Sequence, residues 1–314
     1  MLQQTRVEAV KPYFERFLKA LPTVADLAQA PEEQLLKLWE GLGYYNRVRN
    51  LQRGARAVMA EHGGVIPASF EALKKLPGIG DYTAGAIGSI AFQIPVPAVD
   101  GNVLRVISRV LYRRDNILDA KVKRRIEGEI KEILPERTGD FNQSLMELGA
   151  TVCLPNGAPK CNECPLQELC RAHLVGDEES LPVKTKAKKR KIEQRTVFLL
   201  VCDGKIALRK RPEKGLLAGL WELPSQEGML GCAEAGKRLQ TWGVRTLGEL
   251  QKQTDAKHIF SHVEWHMTCW YVEAALDPDA DVKELIWVSR KELDQDVALP
   301  AAFKTYRKVI EKIL

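Results

Sequence analysis

Four cysteines lie within eighteen residues and form the densest group of metal-ligating side chains in this sequence. They occur in the stretch CLPNGAPKCNECPLQELC, with the spacing C-x7-C-x2-C-x5-C. Thiolates packed this closely favour a bound metal, and the spacing alone leaves both zinc and an iron–sulfur cluster open. The candidate ligands are Cys153, Cys161, Cys164 and Cys170. The other three cysteines, Cys202, Cys232 and Cys269, are scattered along the chain, so we expect them to be buried thiols.

Two further stretches carry residues that suit binding and catalysis. In LPGIGDYTAGAI, residues 76–87, Gly78 and Gly80 separate two helical patterns. The N–H groups and positive end of the second helix would hold a phosphate there, and a plain helix–helix turn is the alternative. In VPAVDGNVLRV, Asp100 stands two residues before Asn102, where it would cap the helix that follows.

The elements that must position these residues fall into two groups. At 314 residues, with 45% hydrophobic and 28% charged residues, the chain is long enough for two globular domains. Helical spacing dominates residues 1–150, whereas strand-like apolar runs begin near residue 196 and include a hairpin around Asp203 and Gly204. The predicted fold is therefore an all-α domain followed by an α+β domain.

The net charge of +6 comes from residues before 196, notably the run KTKAKKRKIEQR from Lys184 to Arg195. Such a run is typical of a solvated linker, and contact with a polyanion is the alternative. No stretch approaches the roughly 18 apolar residues of a membrane span, so we expect no membrane contact. The cysteine usage and the lack of a leader pattern predict a cytoplasmic location, in the nucleoid if the protein is bacterial.

Taken in order, these motifs resemble those of the endonuclease III-like DNA glycosylases, with LPGIGDYTAGAI as the helix-hairpin-helix and the cysteine stretch as the [4Fe–4S] loop. The usual first gap in that loop is six residues, and here it is seven. Within the superfamily, MLQQT and GLGYYNRVRNL are similar to the A/G-specific adenine glycosylases (MutY-type), which remove adenine mispaired with 8-oxoguanine. The resemblance covers most of residues 1–175.

The resemblance implies a role for each matched residue. Asp100, with Asn102 beside it, would face the target sugar and stabilise the positive charge that builds on C1′ when the N-glycosidic bond breaks. Bifunctional relatives have a Schiff-base lysine where this chain has Tyr82, so the resemblance implies base excision without efficient strand cleavage. Tyr44 would wedge into the base stack as adenine is flipped out. The residues implied to bind DNA are Gln3, Gln4, Thr5, Tyr44, Gly78, Gly80, Phe260, Ser261 and His262.

The C-terminal part resembles a Nudix-type fold through KGLLAGLWELPSQEG. A Nudix hydrolase needs a metal-binding helix of the form G-x5-E-x7-R-E-x2-E-E. Gly228 and Glu234 match its start, but Trp242 and Gly243 replace the Arg-Glu pair and no Glu pair follows, so hydrolysis is not expected. The family uses this domain to recognise 8-oxoguanine, and HIFSHVEW resembles its Phe-Ser-His loop; a polar strand–strand turn is the alternative.

The predicted organisation is a glycosylase domain at 1–175, a basic linker at 176–195 and a Nudix-like recognition domain at 196–314. The expected partner is double-stranded DNA containing 8-oxoguanine:adenine or G:A mispairs, and the expected state is a monomer. The alternatives are a mismatch-binding protein without catalysis and a nucleotide hydrolase acting through the C-terminal domain.

The resemblance also predicts where the general acid should be. In the family, a Glu lies two residues before the segment that matches MLQQT, which places it before Met1. Either the natural protein starts further upstream or this is a truncated form. For residues 1–314 we therefore expect specific mispair binding with little adenine release, because a positioned acid contributes about 10²–10⁴-fold in rate.

Overall fold

A computed structural model describes residues 1–3, 5–185, 189–276 and 285–314. The chain forms two compact units: the first unit contains residues 1–49 and 188–314, and the second unit contains residues 50–187. These limits differ from the domain boundaries at 175 and 196, which remain a prediction. Within the described ranges, no helix is both long enough and apolar enough to cross a membrane.

The first unit begins with three helices. They are α1 Val7–Ala20, α2 Val24–Gln29 and α3 Glu32–Leu38. The helical spacing that begins at Leu2 predicts an earlier start than the structure has, because the described residues before Val7 (1–3, 5 and 6) are not helical. The buried faces of α1 and α3 form a core with Trp39, Tyr45 and Val48, and Leu220 from the C-terminal part of the chain packs into the same core.

The second unit is helical, as the sequence predicts. Helix α4, Asn46–His62, runs from the first unit into the second. The helices that follow are α5 Phe70–Lys75, α6 Asp81–Phe92, α7 Gly101–Val110, α8 Ala120–Glu132, α9 Thr138–Thr151 and α10 Arg171–Leu174. The apolar side chains of α7 pack with Ile126, Ile130 and Leu145 into a buried core, which fixes the start of α7 relative to α9.

The C-terminal part of the first unit is built on a mixed sheet. Its elements are β1 Lys191–Cys202, β2 Lys205–Lys210, β3 Trp221–Glu222, β4 Ser225–Glu227, α11 Cys232–Thr241, β5 Val244–Thr246, β6 Gln251–Ile259, β7 Val263–Leu276, β8 Leu285–Ser289, α12 Arg290–Gln295 and α13 Lys304–Ile313. One face of the sheet packs on residues of α12 and α13, and the other packs on α11.

Strand pairing defines two turns that contain residues singled out in the sequence, the β1–β2 turn and the β6–β7 turn. The predicted hairpin is present: Cys202 pairs with Lys205, and Asp203 and Gly204 have φ of 48° and 69°, as a two-residue turn requires. Strands β6 and β7 form a second antiparallel hairpin, in which Ile259 pairs with Glu264. Strand β1 begins at Lys191, inside the predicted linker, because its first residues pair in parallel with β7.

Candidate active site

The predicted helix-hairpin-helix is formed by α5, a glycine turn and α6. Ser69 caps α5 by accepting a hydrogen bond from the N–H of Ala72. Gly78 has φ of +80°, and a Cβ there would lie 2.6 Å from Cβ of Asn50, so both conformation and space require glycine. Gly80 caps α6 and has open space where a Cβ would be, which leaves the N-terminus of α6 accessible.

Asp100 is the N-cap of α7 and is held by three hydrogen bonds. Its Oδ1 accepts from the N–H groups of Asn102 and Val103, each at 2.8 Å, and its Oδ2 accepts from the Asn102 side-chain amide at 2.9 Å. Capping orders the carboxylate, so it points in one direction although it is only half-buried. The capping is observed, whereas the catalytic role of Asp100 stays a prediction.

Tyr82 lies on the first turn of α6, and its hydroxyl donates to the sulfur of Met146 at 3.3 Å. Burial raises the pKa of Tyr82, and the negative charge of Asp100 raises it further. The phenol is therefore neutral at neutral pH. The phenol has no amine with which to form an imine. It lies close enough to Asp100 for the carboxylate charge to raise its pKa.

Two buried arginines of α7 connect the Asp100 region to the cysteine loop. Arg105 donates to the side-chain oxygen of Asn102 at 2.9 Å and to the carbonyl of Cys153 at 2.8 Å. Arg109 donates to the sulfur of Cys153 at 3.1 Å and to carbonyls of the loop beyond it. Neither arginine was among the residues predicted from the sequence. The available signal was two arginines four positions apart on an otherwise apolar helix face.

The four cysteines of the loop line one small cavity in the second unit. Apolar side chains such as Val106 and Leu166 form part of its wall, and Arg109 contributes a positive charge. Burial raises the pKa of Cys161 to about 11, and the carboxylate of Glu178 adds to that shift. A group of four thiols around one cavity with a cation beside it fits a thiolate-bound cluster, because the arginine offsets the negative charge that such a cluster carries.

A second donor set overlaps the same loop. The ligand atoms of Cys161, His173 and Glu178 lie within 4.8 Å of one another, and among the described residues no other such group of three is present. Nδ1 of His173 lies 2.5 Å from a Glu178 oxygen, and the Cys161 thiol donates to the same carboxylate at 3.5 Å. The region therefore has the chemistry of a metal site whether cysteines alone or a mixed set supply the ligands.

The remaining predicted DNA contacts lie in the first unit. Arg47 holds the N-terminal segment: it donates to the carbonyls of Met1 and Gln3 and to the hydroxyl of Thr5. Gln4 lies outside the described residues. Tyr44 has φ of 48°, a left-handed conformation that costs a non-glycine residue about 1–2 kcal/mol, and 52% of its surface is exposed. Strain of this kind is typical of functional positions.

The Phe-Ser-His segment forms the β6–β7 turn, where the N–H of Phe260 bonds the carbonyl of Val263 at 2.9 Å. The Phe260 ring packs edge-on against Trp265, which leaves Ser261 and His262 exposed at the tip. The Ser261 hydroxyl lies 3.2 Å from the hydroxyl of Tyr44. Two residues 217 positions apart, each predicted separately to bind DNA, are thus hydrogen-bonded to each other.

The Nudix helix position carries no metal site in the described structure. Glu234, which matches the start of the Nudix motif, caps α11 by accepting from the N–H of Gly231 at 3.0 Å. Trp242 packs edge-on against Phe198 at the other end of α11. These contacts give both residues structural roles at the two ends of α11.

Comparison with known proteins places the chain in a family. A model of the HhH-GPD superfamily of base excision DNA repair proteins matches residues 1–132, and a NUDIX domain model matches residues 196–309. An adenine DNA glycosylase of Rattus norvegicus is 35% identical over 366 aligned residues, which cover 99% of this chain and 70% of the rat protein. This chain belongs to the adenine DNA glycosylase family.

Two further comparisons agree with this family. The adenine DNA glycosylase of Buchnera aphidicola subsp. Baizongia pistaciae is 31% identical over 100% of this chain and 87% of its own length. The solved structure of a thermostable thymine-DNA glycosylase aligns with a TM-score of 0.50 at 29% identity, covering 55% of this chain and 80% of that one. The predicted fold class and the prediction of a DNA glycosylase, a hydrolase of base-excision repair, are confirmed.

Proposed function

We propose that this adenine DNA glycosylase family member removes adenine paired with 8-oxoguanine or guanine by hydrolysing the N-glycosidic bond. The C1′–N9 bond breaks, water supplies the oxygen that joins C1′, and a proton ends on the departing adenine. The observation that carries the proposal is the fixed carboxylate of Asp100, with two backbone N–H groups and the Asn102 amide directed at it. A preoriented anion stabilises the developing cation without reorganisation during the reaction.

Each neighbouring residue has a role in this proposal. Asn102 orients Oδ2 of Asp100, and Tyr82, neutral near that carboxylate, leaves the chemistry monofunctional because it cannot form an imine with C1′. The open N-terminus of α6 behind Gly80 would hold a DNA phosphate through its N–H groups. Gly78 maintains the turn that presents this N-terminus.

We also propose that Cys153, Cys161, Cys164 and Cys170 hold a [4Fe–4S] cluster. The shared cavity and the Arg109 side chain at Cys153 support this ligand set over the mixed set with His173. When bound, the cluster supplies a covalent cross-link of the loop. Arg105 then connects the loop backbone to Asn102, so that order in the loop is transmitted to the residue that orients Asp100.

Lesion recognition is proposed to use Tyr44, Ser261 and the N-terminal segment. The exposed Tyr44 ring is available to insert into a base stack, and its hydrogen bond to Ser261 presents two hydroxyl groups at one place. Gln3 and Thr5, held by Arg47, would contact the pair from the adjoining segment. His262 at the same turn would contact the base or a phosphate, while Phe260 anchors the turn.

The test uses purified residues 1–314 and three duplexes of one sequence, containing 8-oxoguanine:adenine, G:A or G:C. A 2′-fluorinated adenosine keeps the bond intact while binding is measured. The proposal predicts the tightest binding to the 8-oxoguanine duplex, and equal affinity for all three would refute it. With ordinary adenosine, any adenine release must depend on Asp100 and leave the strand uncut until alkali is added.

A further inference from the structure

A partly buried ion network lies directly before the turn that carries Tyr44. Lys37 donates to Glu40 at 2.8 Å and to the carbonyls of Leu293 and Val297, each at 2.9 Å. All three N–H groups of its ammonium therefore have partners. The side chain is 16% exposed, so the charge is largely removed from water.

Glu40 completes the network on its other oxygen. Oε1 of Glu40 accepts from the Arg307 guanidinium at 2.6 Å and from the N–H of Leu299 at 3.0 Å. Arg307, on α13, also donates to Asp294 at 3.0 Å. Glu40 and Arg307 are 15% and 26% exposed, so this pair is far less screened than a surface ion pair. The pair joins the segment that follows α3 to α13 in the same unit.

The turn between Glu40 and Arg47 is fixed at both ends. The Trp39 indole donates to the carbonyl of Gly43 at 3.1 Å, and Arg47 donates to the same carbonyl from the other side at 3.1 Å. Gly41 has φ of +98°, and a Cβ there would lie 2.4 Å from the hydroxyl of Tyr13. Tyr44 is the exposed apex of this fixed turn and meets Ser261 there.

We propose that Glu40 and Arg307 are positioning residues for lesion recognition. Their ion pair fixes the Tyr44 turn to the part of the unit that carries Ser261, so that the hydroxyls of Tyr44 and Ser261 contact the same base. This inference rests on the proposed function. Buried ion pairs add little net stability compared with apolar packing, but they select one arrangement because each charge needs its partner. Here the selected arrangement is the one in which Tyr44 and Ser261 are hydrogen-bonded.

The decisive variant is Glu40→Gln, which keeps the size of the side chain. It leaves Lys37 without a carboxylate and leaves Arg307 only its more exposed carboxylate partners, Asp294 and Glu311. The measured quantity is the ratio of affinities for 8-oxoguanine:adenine and G:A duplexes, both with 2′-fluorinated adenosine. Partial unfolding lowers both affinities by the same factor, so the ratio reports positioning alone. We expect the ratio to fall at least about fivefold, within the usual range of coupling between distant groups.

The matched control is Glu311→Gln. Glu311 pairs with the same Arg307 at 4.0 Å but is 45% exposed, so its loss should leave the ratio unchanged. A Glu40→Gln protein with an unchanged ratio would overturn the proposal. If the Glu40→Gln protein does not fold, the same affinity ratio is measured for Arg307→Lys. A reduced ratio supports the proposal. An unchanged ratio, or loss of the fold in both variants, overturns it. A wild-type chain without preference for 8-oxoguanine would instead refute the proposed function.

Discussion

The side-chain amide of Asn102 donates a hydrogen bond to Oδ2 of Asp100 at 2.9 Å, while its carbonyl oxygen accepts from Arg105 at 2.9 Å. Asn102 thus lies between the proposed catalytic carboxylate and an arginine that reaches the cysteine loop. Both groups of the amide are used, which fixes its orientation. A chain of hydrogen bonds of this kind lets the loop influence the direction of the carboxylate without touching it.

The Asn102→Ala variant tests that orientation. Oδ1 of Asp100 keeps both backbone N–H partners, so the helix cap survives and the free energy of unfolding should fall by no more than about 1 kcal/mol. Affinity for a duplex with a protonated pyrrolidine in place of the adenine nucleotide should fall about tenfold, because Oδ2 is no longer directed at the cation. Titration by fluorescence anisotropy measures this affinity. An unchanged affinity would show that the amide has no orienting role.

Alanine at the two hairpin glycines should affect different quantities: the free energy of unfolding at Gly78 and the affinity for DNA at Gly80. Gly78→Ala places a Cβ 2.6 Å from Asn50 at a positive φ, so it should lower the free energy of unfolding by about 2 kcal/mol or more. Gly80→Ala meets open space and should cost less than about 1 kcal/mol, yet it should weaken binding to any duplex by obstructing the phosphate. Urea denaturation and salt-matched titrations give both numbers. Unweakened DNA binding by Gly80→Ala would argue for a plain turn.

Local patterns in the sequence predicted much of this arrangement, because its physical causes are local. An aspartate before a helix predicts the Asp100 cap, and Asp203-Gly204 between apolar runs predicts the first hairpin. The same rule predicts a cap at Asp81, because an aspartate stands there at the start of a helical pattern. In the structure Gly80 is the cap, and Asp81 is the first residue of α6 and pairs with Lys74.

The contacts that the sequence did not predict join residues far apart in the chain. One such contact joins Tyr44 to Ser261 across 217 positions, and another joins Glu40 to Arg307 across 267 positions. Contacts over such separations produce no periodic pattern in a single sequence. Each of these charged or polar residues is ordinary for a solvated surface. Only the fold shows that Glu40 is buried between two cations, so its importance could not be predicted from composition or spacing.

Metal content distinguishes the two ligand sets of the cysteine loop. Cys161→Ser should abolish bound iron and acid-labile sulfide together. Cys232→Ser should retain both, because Cys232 lies outside the loop and is exposed, whereas the sequence predicted it to be buried. Elemental analysis and visible absorbance of freshly purified protein make the comparison. Stoichiometric zinc without sulfide in the wild-type chain would contradict the cluster and favour the mixed set with His173.

Position 82 should set whether the chemistry is monofunctional. Tyr82 is near enough to Asp100 for the carboxylate charge to raise its pKa, so the Tyr82→Lys variant would place an amine beside the same sugar. That variant should form an imine with C1′ that borohydride reduces to a stable protein–DNA adduct, seen as a slower band in a denaturing gel. The wild-type chain should form none. Equal trapping by both proteins would contradict a monofunctional site.

Whether Asp100 stabilises positive charge on the sugar is tested directly by comparing two analogues of the reacting sugar, each opposite 8-oxoguanine: a protonated pyrrolidine, which is cationic, and a neutral tetrahydrofuran. Asp100→Asn preserves the helix cap, and Asp81→Asn removes an exposed charge at the hairpin as a control. Wild type and Asp81→Asn should bind the cationic analogue more tightly, and Asp100→Asn should reduce this preference at least tenfold. If the Asp100→Asn protein keeps the full preference, Asp100 does not stabilise the cation.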